Sequence, residues 1–159
     1  MLPTQVQTPP RAWVALLRAY AATTRALSAE LVADHGLTIN DYEALLRLAR
    51  AEDQRMRRVD LASALLLTAS GVTRLLDGLE NAGLVERATC ASDRRVVYAV
   101  LTEAGRAKLA EASESHLAAV RGLFEERFTD EDVAQLADLL GRLPGAEGKA
   151  DEDCAPPAE

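Results

Sequence analysis

The 159-residue chain lacks most of the features that would assign it to a class at once. It has no run of about 18 or more apolar residues, which argues against a spanning helix, and no charged-then-apolar leader ending in a small-residue cleavage site. A cytoplasmic protein with no membrane partner is expected. Cysteine is scarce: Cys90 and Cys154 lie far apart, one beside an arginine pair and one in an acidic stretch, which is no disulfide framework. The two histidines, His35 and His116, have no second His or Cys at ligand spacing, so no metal site within one chain is expected. There is also no Gly-rich phosphate loop and no nucleophile–base pair in a recognisable context. Neither an enzyme nor a bound cofactor is expected. What is present, 48% apolar and 27% charged residues, suits one globular domain with a real core.

A net charge of −7 argues against a nucleic-acid partner when taken as one number. Its distribution says otherwise. Residues 1–128 hold 16 basic and 16 acidic side chains, whereas 129–159 hold 2 basic and 9 acidic ones. Between 55 and 95, seven arginines face five acids. The acidity belongs to the C-terminal end, and the middle is mildly basic.

The pattern along the chain is helical with one interruption. Residues 1–10 read as a flexible arm. From 11 to 36 the apolar stripe Trp13, Leu17, Tyr20, Thr24, Leu27, Leu31 steps by four and three, the narrow seam of a dimerisation helix stopped by Gly36. Thr38 is an N-cap with Asp41 at the third helical position and Leu37 stapled to Tyr42. A polar loop is expected over Glu52–Arg57, then a short helix over 59–66. Thr68 caps a helix over Ala69–Asn81, whose Val72, Leu75, Leu76 and Leu79 take one side and whose Ser70, Thr73, Arg74, Asp77 and Asn81 take the other. Gly83 ends it. Two β-branched runs, 84–87 and 96–101, then form a hairpin with its tip at Thr89–Arg95. Thr102 caps a helix of roughly 40 Å to Arg127 with the stripe Leu109, Ala112, His116, Val120, Leu123. Thr129, with Asp132 at its third helical position, opens the last helix, to about Leu143. Residues 102–143 are assigned to C-terminal dimerisation helices and 144–159 to a disordered acidic tail.

Helix, tight turn, polar-faced helix, hairpin is the order of a winged helix-turn-helix, here over 37–101, in a mainly α fold. Such a unit needs a second helix pinned by its apolar side and presenting short or planar hydrogen-bonders to a major groove. Ser70, Thr73 and Arg74 fit, because Arg pairs with guanine O6 and N7 and Ser or Thr serves a base or a phosphate. The plain alternative is an amphipathic helix facing water. At the hairpin tip, an arginine on a rigid ribbon can enter the minor groove, with Asp93 as a brace and Arg94 or Arg95 as the probe.

The wing residues Asp93-Arg94-Arg95 followed by Leu101-Thr102-Glu103-Ala104-Gly105, with the helix Leu67–Val85 upstream, resemble the MarR family of winged-helix transcription regulators. The likeness extends from about residue 11 to 143. It implies a triangular homodimer joined by the first and last helices, binding double-stranded DNA at a pseudo-palindromic operator. It also implies repression relieved by a small phenolic or anionic effector, in a cleft between the dimer helices and the DNA-binding lobe.

Further candidates carry plain alternatives. Arg55, Arg57, Arg58 and Arg87 are candidates for phosphate contacts, or solvated charges. Trp13, Tyr20, Tyr42 and His116 are candidates for the effector cleft, or core and dimer seam. Cys90, among Arg87, Arg94 and Arg95, would favour thiolate and a redox response, or be an inert turn residue. The rival function is a helical dimer whose winged lobes bind a protein partner.

Overall fold

The computed structural model describes residues 9–144. Cys154, most of the expected arm and nearly all of the acidic tail lie outside the described residues. Pro9 and Pro10 belong to no arm: they open helix α1 (Pro9–His35), where a proline's missing N–H would have had no partner. Gly36, at φ +70°, ends α1 in the left-handed conformation that glycine adopts without strain.

Four threonines start four helices by one device, a side-chain oxygen accepting a first-turn backbone N–H. Thr38 caps α2 (Ile39–Arg50). A short helix α3 (Arg58–Ala64) leads to α4 (Ala69–Asn81), which Thr68 caps. Thr102 caps α5 (Glu103–Glu125) and Thr129 caps α6 (Asp130–Gly141). At Thr38 and Thr129 the reciprocal bond from Asp41 and Asp132 completes a capping box. Between α3 and α4 the chain bends by 107°, within the helix-turn-helix range.

The expected polar loop over Glu52–Arg57 is corrected. Glu52–Gln54 form a tight helical turn, and Arg55–Arg57 form strand β1. With β2 (Val85–Thr89) and β3 (Val97–Leu101) it makes an antiparallel sheet in the order β1-β3-β2. Arg55 pairs with Val100 and Arg57 with Tyr98. The wing therefore stands on three strands, and the third one braces its base against α3.

The core forms around α2, where Tyr42, Ala44, Leu45, Leu46, Leu48 and Ala49 are buried. α1, α4, α5 and the sheet pack around it. The fit is closest at the start of α5. Thr102 Oγ1 donates to the Gly83 carbonyl at 2.7 Å, and the Thr102 N–H donates to the Leu84 carbonyl at 3.2 Å. One turn on, Gly105 lies against that same carbonyl: a Cβ there would sit 2.0 Å from Leu84 O. No side chain is tolerated, because the obstacle is backbone.

Deeper along α5, the Tyr42 and His116 rings pack with centroids 4.6 Å apart. The Tyr42 and Ser113 hydroxyls share a hydrogen bond at 3.0 Å. His116 is 8% exposed, and its Nδ1 has no hydrogen-bond partner among the described residues. Burial pushes the imidazole below its ordinary pKa, while the charges of Glu43 and Glu30 pull it partly back.

Two outcomes are expected. Gly105→Ala should destabilise the fold by about 3 kcal/mol, seen as a lower urea midpoint at unchanged slope, because the first turn of α5 must lift off Leu84. His116 binds a proton more readily in the unfolded chain, where it titrates near 6.5. Its contribution to stability is therefore complete above that pH and lost as pH falls below it. Thermal unfolding of His116→Gln should lose less stability between about pH 7 and 5 than the natural chain loses.

Candidate nucleic-acid interface

α4 is held by one side only. Val72, Leu76 and Leu79 are buried and Leu75 is half-buried, so the helix cannot rotate about its axis without exposing them. Its N-terminus is fixed by the Gly71 N–H donating to Thr68 Oγ1 at 3.1 Å. Ser70 and Arg74 are exposed, and Arg74 has no ion pair among the described residues. Thr73 is half-buried and donates its hydroxyl back to the Ala69 carbonyl at 2.8 Å. Its oxygen can still accept a bond, but it is less available than a fully exposed threonine. The expected polar face is thus assembled, with Arg74 as its free cation.

The wing tip is organised by local hydrogen bonds. The Cys90 N–H donates to the Val96 carbonyl at 3.1 Å, and the Val96 N–H donates to the Asp93 carbonyl at 3.0 Å. Asp93 Oδ1 accepts the Arg95 backbone N–H at 3.0 Å and the Arg95 Nε–H at 3.3 Å. The Arg95 side chain is nevertheless 94% exposed. A pair this exposed adds little stability, so its consequence is direction: the guanidinium is aimed outward from the tip. Arg94 is exposed with no ion pair among the described residues. Of the two adjacent arginines, Arg95 is the braced one.

Cys90 is a half-buried free thiol at the same tip. Hydrogen bonds with the Ser92 hydroxyl, at 3.0 Å, and from the Ser92 and Asp93 backbone lower its pKa, and partial desolvation and then the Asp93 charge oppose them. The neighbouring arginines, expected to favour the thiolate, are not among the causes. The cause is the turn.

The four arginines considered for phosphate contacts differ. Arg57 forms a two-pronged bond to Asp60, Nε at 2.7 Å and an amino group at 3.0 Å, which raises its pKa further. Arg58 is half-buried with no ion pair among the described residues. Arg87 is turned toward the protein: it bonds Asp77, and its Nε lies 2.8 Å from Glu80, both on α4. Arg55, the fourth arginine considered, is held on the strand side of the lobe. It stacks on the Tyr98 ring, 5.1 Å from its centroid, and lies 3.5 Å from Asp53. Its place on a strand was not legible, because the alternation Arg-Met-Arg is three residues long and too short to read as one.

The four candidates for an effector cleft do not converge. Tyr42, at 2% exposure, and His116 meet in the core, while Trp13 and Tyr20, 60% and 69% exposed, stand on the outer face of α1. Tyr20 lines an open groove of about 640 Å³ with Arg25, Ser28, Val32 and Ile39. Among the described residues, no group of three or more His, Cys, Asp or Glu side chains could hold a metal, and no single helix is long and apolar enough to cross a membrane.

Residues 35–96, the helix-turn-helix and the wing as far as its tip, match a family model described as "MarR family". The transcriptional repressor YetL of Bacillus subtilis is 31% identical over 111 residues, which are 70% of this chain and 66% of that protein. The chain therefore aligns with just under two thirds of that repressor's length. Among solved structures, AbsC of Streptomyces coelicolor, a MarR family transcriptional regulator, superimposes with a TM-score of 0.73 at 37% identity, covering 86% of this chain and 93% of AbsC. Sco3205, a MarR family regulator of the same organism solved in complex with DNA, gives 0.75 at 28% identity, with 87% and 89% covered. A wing signature that proves to be a structural joint, on a fold shared with AbsC along nearly its whole length, leaves one assignment: the chain belongs to the MarR family of DNA-binding transcription regulators.

Proposed function

We propose that the chain is a homodimeric repressor that reads an inverted-repeat operator with α4 in the major groove and the wing in the minor groove. One observation carries this reading. Arg74 on the helix and Arg95 on the wing tip both present guanidinium groups outward from rigid elements, one unpaired and one aimed by Asp93. Ser70 and Thr73 stand beside Arg74 as partners for bases or phosphates. The alternative of a protein partner gives no reason for a braced arginine at a ribbon tip.

Dimerisation is supported by α6. It has a complete capping box and twelve residues, yet none of them is buried within the protomer. An isolated helix of that length is marginal in water. Leu139, Leu140 and Leu143 are exposed at its end, as are Trp13, Leu17 and Tyr20 along α1. A second copy covering both stripes would place two α4 helices about 34 Å apart, one DNA turn. The groove beside Tyr20 and Arg25 suits the proposed effector, a small aromatic anion: apolar walls for its ring, a guanidinium for its charge.

Selection of duplexes from a random pool at about 0.1–0.15 M salt tests the reading, since non-specific phosphate binding is weakened there. An enriched inverted repeat with half-sites one turn apart is expected; absence of any enrichment by a soluble dimer would point to the protein-partner alternative. Against the enriched duplex, Arg95→Ala should lose about 1–3 kcal/mol of affinity, and Arg94→Ala less. Leu139→Asp with Leu140→Asp should yield a monomer by light scattering. That monomer should bind the full operator on the order of 100-fold more weakly, because the second half-site is no longer tethered to the first.

A further inference from the structure

The outer face of α4 contains a contradiction that the DNA-reading proposal leaves open. Arg74 shares that face with Asp77, three residues on, at the spacing where helix neighbours touch. Glu80 lies seven residues beyond Thr73, which puts it on the same face again. Two carboxylates thus stand on the surface that would approach phosphates. One of them is placed to capture the arginine that would read a base.

The structure resolves this through the third strand position of β2. The turn at Gly83, φ +73°, returns the chain alongside α4 within a few residues. Arg87 pairs in the sheet with Ala99, and its side chain reaches back across the turn. One amino group bonds Asp77, and Nε lies 2.8 Å from Glu80. A planar guanidinium serves two carboxylates from one position, as an ammonium cannot do with fixed geometry. Asp77 is occupied, and Arg74 has no ion pair among the described residues.

We infer that Arg87 is a positioning residue for DNA reading, which holds Asp77 and Glu80 away from Arg74 and neutralises them toward the duplex. The inference rests on the DNA-reading role proposed above. It differs from a phosphate contact, because Arg87 acts on the protein's own acids. All three side chains are exposed, so the cluster stabilises the fold little and its effect is on binding.

The test uses the full chain and the duplex that the natural protein enriches from the random pool. Binding is followed by fluorescence anisotropy over a range of salt. Arg87→Ala and Arg87→Gln, the second keeping more of the stem, should each bind on the order of tenfold more weakly while melting within a few degrees of the natural chain. Adding Asp77→Asn and Glu80→Gln to Arg87→Ala should restore affinity to within about threefold, because the charges that Arg87 guards are gone. If the triple variant stays as weak as Arg87→Ala and its log K against log salt slope drops by about 0.9, Arg87 is touching a phosphate and the inference is overturned. It is equally overturned if Arg87→Ala binds like the natural chain. A natural chain that enriches no duplex at all fails one step earlier, and removes the DNA-reading role together with the inference.

Discussion

The approach of α5 to the turn after α4 is the constraint on which the rest of the molecule depends. Three backbone features meet there: the Gly83 carbonyl taken by Thr102 Oγ1, the Leu84 carbonyl taken by the Thr102 N–H, and the bare Cα of Gly105 pressed onto that same Leu84. The Leu-Thr-x-x-Gly half of the wing signature is this joint. Leu101 is buried beneath it, Thr102 caps the helix and bonds the turn, and Gly105 makes room. It fixes the end of α4, the start of β2 and the end of β3 relative to α5. A helix face and a wing tip separated by such a joint can address one surface together only if the joint is rigid. A backbone-to-backbone contact with no side chain between is about as rigid as packing allows.

The joint also explains the division of labour between the two kinds of apolar surface. Around α2 the packing is closed, with Leu45, Leu48, Leu61 and Ala112 fully buried. Outside it, α1 and α6 run past the lobe and leave Trp13, Val14, Leu17, Leu139 and Leu143 in water. Exposed apolar stripes of this kind mark surfaces awaiting cover. The core around α2 is closed, with Leu31 of α1 and Leu109 and Ala112 of α5 completing it, whereas the outer stripes of α1 and α6 are uncovered. This is why the proposed dimer would be built from α1 and α6 without disturbing the reading surface.

How much of this was legible in the sequence follows from the range of each interaction. Caps are local: Thr38, Thr68, Thr102 and Thr129 each meet a partner three residues away, and α4 falls on Ala69–Asn81 as its pattern predicts. The Asp93 brace is two residues from Arg95 and was equally legible. β1 was not, because three residues acquire strand geometry only from pairing with Val97–Leu101, more than 40 positions on. The partners of Arg87 depend on the tightness of the Gly83 turn. The fate of Tyr42 depends on α5 crossing α2, which decides between the two readings the sequence left open, cleft or core, and puts the ring in the core against His116. Residue type showed what each side chain can do, and long-range packing decided whether it is free to do it.

That distinction bears on how an acidic chain could bind a polyanion. Counting charges over the chain gives −7 and counting over 55–95 gives a slight positive excess, but neither number describes the surface. Arg57 is matched to Asp60, Arg55 to Asp53 and Tyr98, and Arg87 to Asp77 and Glu80. These pairings occupy three of the seven arginines between 55 and 95 and leave Arg58, Arg74, Arg94 and Arg95 to displace counterions. The non-specific, salt-sensitive part of DNA affinity, which grows with each phosphate neutralised, would therefore be small. A regulator of this composition would derive its affinity from placement, two arginines aimed by a rigid joint, more than from charge. Weak attraction to arbitrary sequence widens the gap between the operator and the rest of the DNA, and that gap is what a specific regulator requires.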